Sequence, residues 1–175
     1  MLAASAAASI AYSQQFSKES LAPYIPSPQE VVDRMLEAAR VKPGEVVYDL
    51  GSGDGRIVIT AARKFRARAV GVELRGDLCK STQTHIDQLG LSDRITLIHG
   101  NLLKVDLSPA DVVTLYLLTS SNEKLRPNLE KYLKPGARVV SNDFEIHGWT
   151  PSGIVPITAG GVQHKIFVYE VGEKQ

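Results

Sequence analysis

A short apolar run, Val46-Val47-Tyr48, feeds directly into Asp49-Leu50-Gly51-Ser52-Gly53-Asp54-Gly55, and helix-forming residues follow from Arg56 through Ala62. No other stretch constrains the fold as tightly. Glycine lets the backbone take positive φ and lets a ligand approach the main chain closely. A turn that opens a helix also offers unpaired N–H groups, which favour a carboxylate or phosphate. A second acidic residue, Glu73, closes the next apolar run, Ala69-Val70-Gly71-Val72. Glycines beneath a charged tail and a carboxylate on ribose hydroxyls suit a nucleoside. The plainer alternative is a tight strand-to-helix turn with no ligand, and acidic residues at both strand ends argue against it.

The glycine spacing narrows the nucleoside. The dinucleotide fingerprint is G-x-G-x-x-G. Here the third glycine comes one position early, and Arg56 stands where the fingerprint needs glycine. No Gly-Lys-Ser or Gly-Lys-Thr follows, which excludes a P-loop. The pattern is D-x-G-x-G-x-G.

The 175 residues fit one domain with a sizeable core. A formal net charge of +1 gives no global electrostatic case for nucleic acid. One cysteine, Cys79, excludes an internal disulfide and a cysteine-based zinc site, and it reads as a small packing residue within a helix. The histidines His85, His99, His147 and His164 show no metal-ligand spacing, so no metal is expected. Met1 to Ser20 is rich in alanine and serine. It reads as a weak export signal, a packed helix, or a peripheral or poorly ordered segment; the last is favoured, giving a segment 1–22 and a folded domain 23–175. No stretch is long and apolar enough to span a membrane. The expected location is the cytoplasm, with export or membrane association through residues 1–20 left open.

Along the chain, Tyr24-Ile25-Pro26-Ser27-Pro28 is extended by its prolines. Ser27 is expected to cap a helix over Gln29–Ala39, with Pro28 at its first position. Strands are expected at Val46–Leu50, Ala69–Glu73, Ile95–His99, Asp111–Leu117 and Arg138–Ser141. Helices are expected near 55–65, 77–89 and 121–132. The tail differs in kind: Ile154–Ile157 and Gln163–Val171 read as strands around Ala159-Gly160-Gly161, a hairpin. Alternating strands and helices followed by an antiparallel pair imply an open α/β sheet with one reversed edge strand.

The motif at 49–58 resembles motif I of class I S-adenosylmethionine (SAM) methyltransferases. Further segments extend the likeness: Tyr-Ile-Pro-Ser-Pro at 24–28, Val-Gly-Val-Glu-Leu at 70–74, Tyr116-Leu117-Leu118, Asn122 to Pro127, and Pro135 to Phe144. Together they resemble the small seven-strand protein-lysine methyltransferases, a group that includes a broad-specificity archaeal enzyme and its mitochondrial relatives. The resemblance implies a Rossmann-like class I methyltransferase sheet, mostly parallel with a C-terminal antiparallel hairpin strand. It implies S-adenosyl-L-methionine as cofactor and S-adenosyl-L-homocysteine as product. It places Asp49 by the methionine amino group beside Gly51, Ser52 and Gly53, and Glu73 with Leu74 on the ribose. Tyr24, Ile25, Ser27, Leu102 and Tyr116 are further expected contacts. Asn101 stands where aspartate usually meets the adenine amino group, and its amide oxygen can still accept that bond.

Methyl transfer from a sulfonium is an in-line displacement, so the protein must exclude water, align the nucleophile and let it be neutral. Tyr116, at the carboxyl end of the fourth strand, is expected to position the amine, and Asp143 to set site polarity. The alternatives stay open: Tyr116 packs under the adenine, and Asp143 caps a turn. Trp149 and His147 either line a substrate groove or anchor a loop, and Arg56 packs at its helix. The strand-four sequence Tyr116-Leu117-Leu118-Thr119 lacks the Asp/Asn-Pro-Pro-Tyr of exocyclic-amine nucleic-acid methyltransferases. The leading function is methylation of lysine ε-amines in proteins bearing accessible lysines, by a chain expected to be monomeric and without nucleic-acid partners. A small-molecule N- or O-methyltransferase and a non-catalytic SAM-binding subunit are the rivals, since fold alone does not fix substrate.

Overall fold

The computed structural model describes residues 25–172. The expected segment 1–22, and Tyr24, lie outside them. Helix α1 (Gln29–Ala38) leads into β1 (Val46–Leu50), α2 (Arg56–Lys64), β2 (Arg68–Glu73), α3 (Gly76–Gln88) and β3 (Ile95–His99). A short 3-10 turn at Leu102–Lys104 precedes β4 (Val112–Leu115), α4 (Thr119–Tyr132), β5 (Arg138–Asn142), β6 (Gly153–Ala159) and β7 (Val162–Glu170).

The seven strands form one sheet in the order β3-β2-β1-β4-β5-β7-β6. Neighbours from β3 through β5 run parallel, and β7 is antiparallel to both β5 and β6. This is the mostly parallel class I methyltransferase sheet that the resemblance implies. One expectation is corrected: the reversed strand is not the edge. β7 lies inside the sheet, and β6 holds the edge. The two-residue loop Gly160-Gly161 has φ of +56° and +78°, and its flanking residues Ala159 and Val162 pair directly. Positive φ at both central positions matches the strand twist, so the hairpin closes tightly and folds β6 outward.

Crossovers from β1 to β3 put α2 and α3 on one face with α1. There Val31, Val32, Met35 and Leu36 of α1 pack with Val58, Ala61 and Ile86 over Val47, Val112 and Val140. The other face buries Leu125 and Leu129 of α4 against Leu50, Leu115, Val139 and Tyr169. Both faces are covered, so the central strands are apolar on both sides.

Two local expectations also change. Ser27 does not cap α1: Pro28 takes the cap position in extended backbone, no side chain caps it, and its carbonyl accepts from Val31 and Val32. β4 ends at Leu115 rather than Leu117, because its neighbour β1 ends opposite, at Leu50, where the chain turns into Gly51. Tyr116 therefore stands just beyond the ladder, at its carboxyl end.

Candidate active site at the carboxyl end of the sheet

Strand alternation decides what meets here. Asp49 is in register with Gly71 on β2 and Thr114 on β4. Leu115 pairs with Ser141, which brings Tyr116 beside Asn142. Asp49, Thr114, Tyr116 and Asn142 thus project on the α1–α3 face of neighbouring strands, where the strand order reverses. Open α/β sheets bind ligands at this switch point.

On the β1–β2 side, the glycine turn is tied down by backbone bonds. Gly51 and Ser52 donate their N–H groups to the Val72 carbonyl at 2.8 and 3.0 Å. Gly55 has φ of +77°, and a Cβ there would sit 2.5 Å from Thr82 Cγ2 of α3. Glycine at that point permits both the turn and the close approach of α3. Glu73 accepts from Gly53 N and from Arg75 N, each at 2.8 Å. Each carboxylate oxygen retains a further lone-pair direction for a hydroxyl donor. Arg56 pairs with Asp54 and donates to the Ser27 carbonyl, so it staples the extended entry segment to α2, as packing rather than substrate contact requires.

Asp49 is 3% exposed and accepts from Thr114 Oγ1 at 2.8 Å. Burial pushes its carboxyl up to about 7; the Thr114 bond opposes this, and Glu73 and Asp54 add to it. A cationic ammonium beside it would restore the ionised form. The buried Ser52 hydroxyl has no partner among the described residues. A buried carboxyl that burial disfavours as an anion, an unsatisfied hydroxyl, and positive-φ glycines fit the zwitterionic tail and ribose of a nucleoside amino acid.

Past β3, Asn101 accepts from Leu103 N at 2.9 Å through its amide oxygen and starts the 3-10 turn, and Leu102 is buried. A carbonyl oxygen has a second lone pair, so this bond leaves room for another donor. Gly100 N donates to the Glu73 carbonyl at 2.9 Å, holding this turn near the Glu73 strand end. The Leu74 carbonyl lies 3.1 Å from His99 Nε2. Ile25 is 55% exposed and Ser27 buried.

On the β4–β5–β7 side, the contacts join residues far apart in sequence. Tyr116 is half-buried; burial, and then the charge of nearby Asp143, raise its phenol above its ordinary value. Its ring lies 6.1 Å from that of Phe144. Asp143 has φ of +62°. It accepts from Lys165 N at 3.0 Å and faces His164 Nδ1 at 2.8 Å. Asp143 thus holds the turn after β5 against β7. The turn is clamped from α4, where buried Asn122 donates to the Phe144 and Glu145 carbonyls at 3.2 Å each.

Reading the sequence placed Asn142 on this edge without a role, and missed His164 and Asn122. The buried Asn142 amide has no partner for either polar atom among the described residues. A polar residue at the end of a strand otherwise apolar on that face was the available signal: Asn142 after Val140 at the carboxyl end of β5, and His164 before Ile166 near the amino end of antiparallel β7. Trp149 lies away from this cluster. It packs edge-on to Tyr169 at 5.8 Å and donates to Glu130, which anchors the loop. His147 pairs with Glu123 at the surface.

Residues 49–153 match the family described as the ANTKMT methyltransferase domain. A protein-lysine N-methyltransferase of Saccharolobus islandicus is 48% identical over 152 residues, covering 86% of this chain and 94% of that one. The adenine nucleotide translocase lysine N-methyltransferase of Mus musculus is 34% identical over 149 residues, covering 85% of this chain. This chain spans 63% of the mouse enzyme's length. A crystal structure described as an RNA methyltransferase from Salinibacter ruber, bound to S-adenosyl-L-homocysteine, superposes with a TM-score of 0.81. It is 46% identical and covers 86% of this chain and 96% of that one.

Proposed function

We propose a reaction for this chain from the premise of what it is: a member of the ANTKMT methyltransferase domain family and a SAM-dependent protein-lysine N-methyltransferase. When bound, S-adenosyl-L-methionine supplies a methyl group already activated on a sulfonium and leaves as S-adenosyl-L-homocysteine after direct in-line displacement. Asp49 and the glycine turn hold its amino-acid end, Glu73 takes the ribose hydroxyls, and Asn101 with Leu102 meets the adenine. Ile25, Ser27 and Leu74 line the same groove.

The acceptor lysine must be neutral, because an ammonium has no lone pair to attack with. Tyr116 carries this reading. Its hydroxyl, just past the carboxyl end of β4, accepts an amine N–H and aims the nitrogen lone pair. The Asp143 carboxylate then stabilises the positive charge that appears on nitrogen. The Asn142 amide, buried beside Tyr116 and without a hydrogen-bond partner among the described residues, is a second acceptor for the amine. Only positioning and electrostatics are asked of these residues.

The Salinibacter description supports a second reading, an RNA acceptor. Net charge near neutrality and the absence of Asp/Asn-Pro-Pro-Tyr after β4 weigh against it. Incubation with radiolabelled SAM and whole lysate separates the two. Label recovered as methyl-lysine after acid hydrolysis, and lost with Glu73→Ala, is the expected result. Label that survives protease and is released by ribonuclease would establish the RNA acceptor instead. Label in neither, despite calorimetric SAM binding, would leave a small-molecule acceptor or a binding-only role.

A further inference from the structure

We propose that His99 is a positioning residue for the cofactor: through a single peptide plane it aims the backbone N–H that orients Glu73. Its effect on binding rests on the reading that Glu73 takes the ribose hydroxyls. The plane is the one between Leu74 and Arg75. Its carbonyl, on Leu74, lies 3.1 Å from His99 Nε2. Its N–H, on Arg75, donates to Glu73 Oε1 at 2.8 Å. The carbonyl and N–H of a trans peptide point in opposite directions and turn together. A donor that holds the oxygen therefore holds the N–H as well. The carbonyl only accepts, so Nε2 carries the proton. Hydrogen bonds in series also polarise one another, which strengthens the Arg75 donor.

The sheet brings these groups together. His99 closes β3 in parallel register with Glu73, so both side chains leave the same face. The imidazole lies against Gly76, the first residue of α3, where a Cβ would come within 3.1 Å of Cε1 and 3.3 Å of Nε2. Glycine there leaves the ring its place beside the Leu74 carbonyl. The Arg75 side chain does not cap α3, and the turn takes its tether from β3 instead. Gly100 N, next to His99, donates to the Glu73 carbonyl at 2.9 Å. β3 thus grips both peptide units that flank Leu74. The Glu73 carboxylate is buried, and its other oxygen accepts from Gly53 N at 2.8 Å. With both donors in place the carboxylate has one orientation, and each oxygen keeps a lone pair for a hydroxyl. Release of the Arg75 donor frees Oε1 to turn, and the pair of ribose hydroxyls loses its matched acceptors.

The test is calorimetric binding of S-adenosyl-L-homocysteine, and of its analogue lacking both ribose hydroxyls, to the purified full chain. H99F keeps a ring over Gly76 and removes the donor; H99Q places an amide N–H near the Nε2 position; H99N places it near Nδ1, short of the carbonyl. Wild type should bind the parent ligand about tenfold or more tighter than the analogue. H99F and H99N should weaken the parent ligand about three- to tenfold and the analogue less than about twofold, with H99Q within about twofold of wild type for both. A loss confined to the ligand with hydroxyls separates positioning from a general loosening of the fold. Unchanged parent affinity in H99F, H99Q as weak as H99F, or an equal loss for both ligands would each overturn the role of His99. If H99F does not fold, the contrast between H99N and H99Q carries the same decision. A wild type that binds both ligands equally marks failure of the Glu73 reading; a wild type that discriminates, with H99F discriminating as well, marks failure of the His99 step alone.

Discussion

The two halves of the site are built in different ways. Around β1 and β2, the parts are contiguous in sequence, and carboxylates hold backbone: Glu73 grips Gly53 N and Arg75 N. Around β4, β5 and β7, the parts come from positions 116, 122, 142, 143 and 164, which only the sheet order brings together. The first half is made by conformations that few residues can adopt; the second is made by the order of strands. Substitutions should therefore damage the first half through cofactor affinity and stability, and the second through turnover.

Glu73→Ala tests the strongest side of this contrast. It removes the proposed ribose contact and two backbone bonds at once. Hydrogen bonds to charged groups contribute about 1.5–3 kcal/mol each. SAM affinity should fall on the order of 100-fold or more in calorimetry, with a lowered Tm. Retained affinity would mean that the turn stands without its carboxylate.

Gly55→Ala comes next. Positive φ costs an L-residue about 1–2 kcal/mol, and the added Cβ would also meet Thr82 Cγ2. We expect a loss of about 2–3 kcal/mol in denaturant unfolding. Because Thr82 Oγ1 also donates to the Gly53 carbonyl at 3.0 Å, Thr82→Ser keeps that bond while removing the methyl. The double variant should recover part of the loss; no recovery would place the whole cost in the backbone.

Acidity gives a signature of the cofactor half alone. The free protein holds the Asp49 proton up to about pH 7, where the unfolded chain has released it near the ordinary carboxylate value of 3.8. This group's contribution to stability is full below that ordinary value and is lost as pH rises through about 7. A cofactor ammonium needs Asp49 ionised, so SAM affinity should move the opposite way. It should weaken about tenfold per unit as pH falls below that point, with proton release on binding in calorimetry. Asp49→Asn should flatten the dependence; an unchanged slope would put the titration elsewhere.

The smallest effect sharpens the acceptor half. Asn122→Ala leaves the Phe144 and Glu145 carbonyls without their α4 donor and loosens the Asp143 turn. We expect kcat to fall about three- to tenfold with SAM affinity unchanged. An equal fall in SAM affinity would dissolve the separation between the halves.

This contrast also explains what the sequence reveals. The glycine turn, Asp49, Glu73, the parallel strands and the amphipathic face of α1 are legible because each is a local pattern with a local cause. Tyr116 and Asp143 are legible as strand-end residues. The Ser27 cap is misread because Pro28 stays extended and takes the cap place itself. His164 stays hidden because its partner lies 21 residues away, across a sheet order that a hairpin motif does not specify. Nothing local says that β7 inserts beside β5 rather than following β6 outward.

That insertion gives the chain a history. A ribosome delivers β6 before the strand that will join it to the sheet, so β6 waits without a neighbour while β1 to β5 can already pair. Only when β7 emerges does the sheet extend and His164 reach Asp143. Newly made molecules thus pass through an interval in which the groove for the cofactor can exist before the device for using it. The β5–β7 ladder is the last non-local strand pairing in chain order, and a chain arrested before it forms would expose β5 as a bare edge.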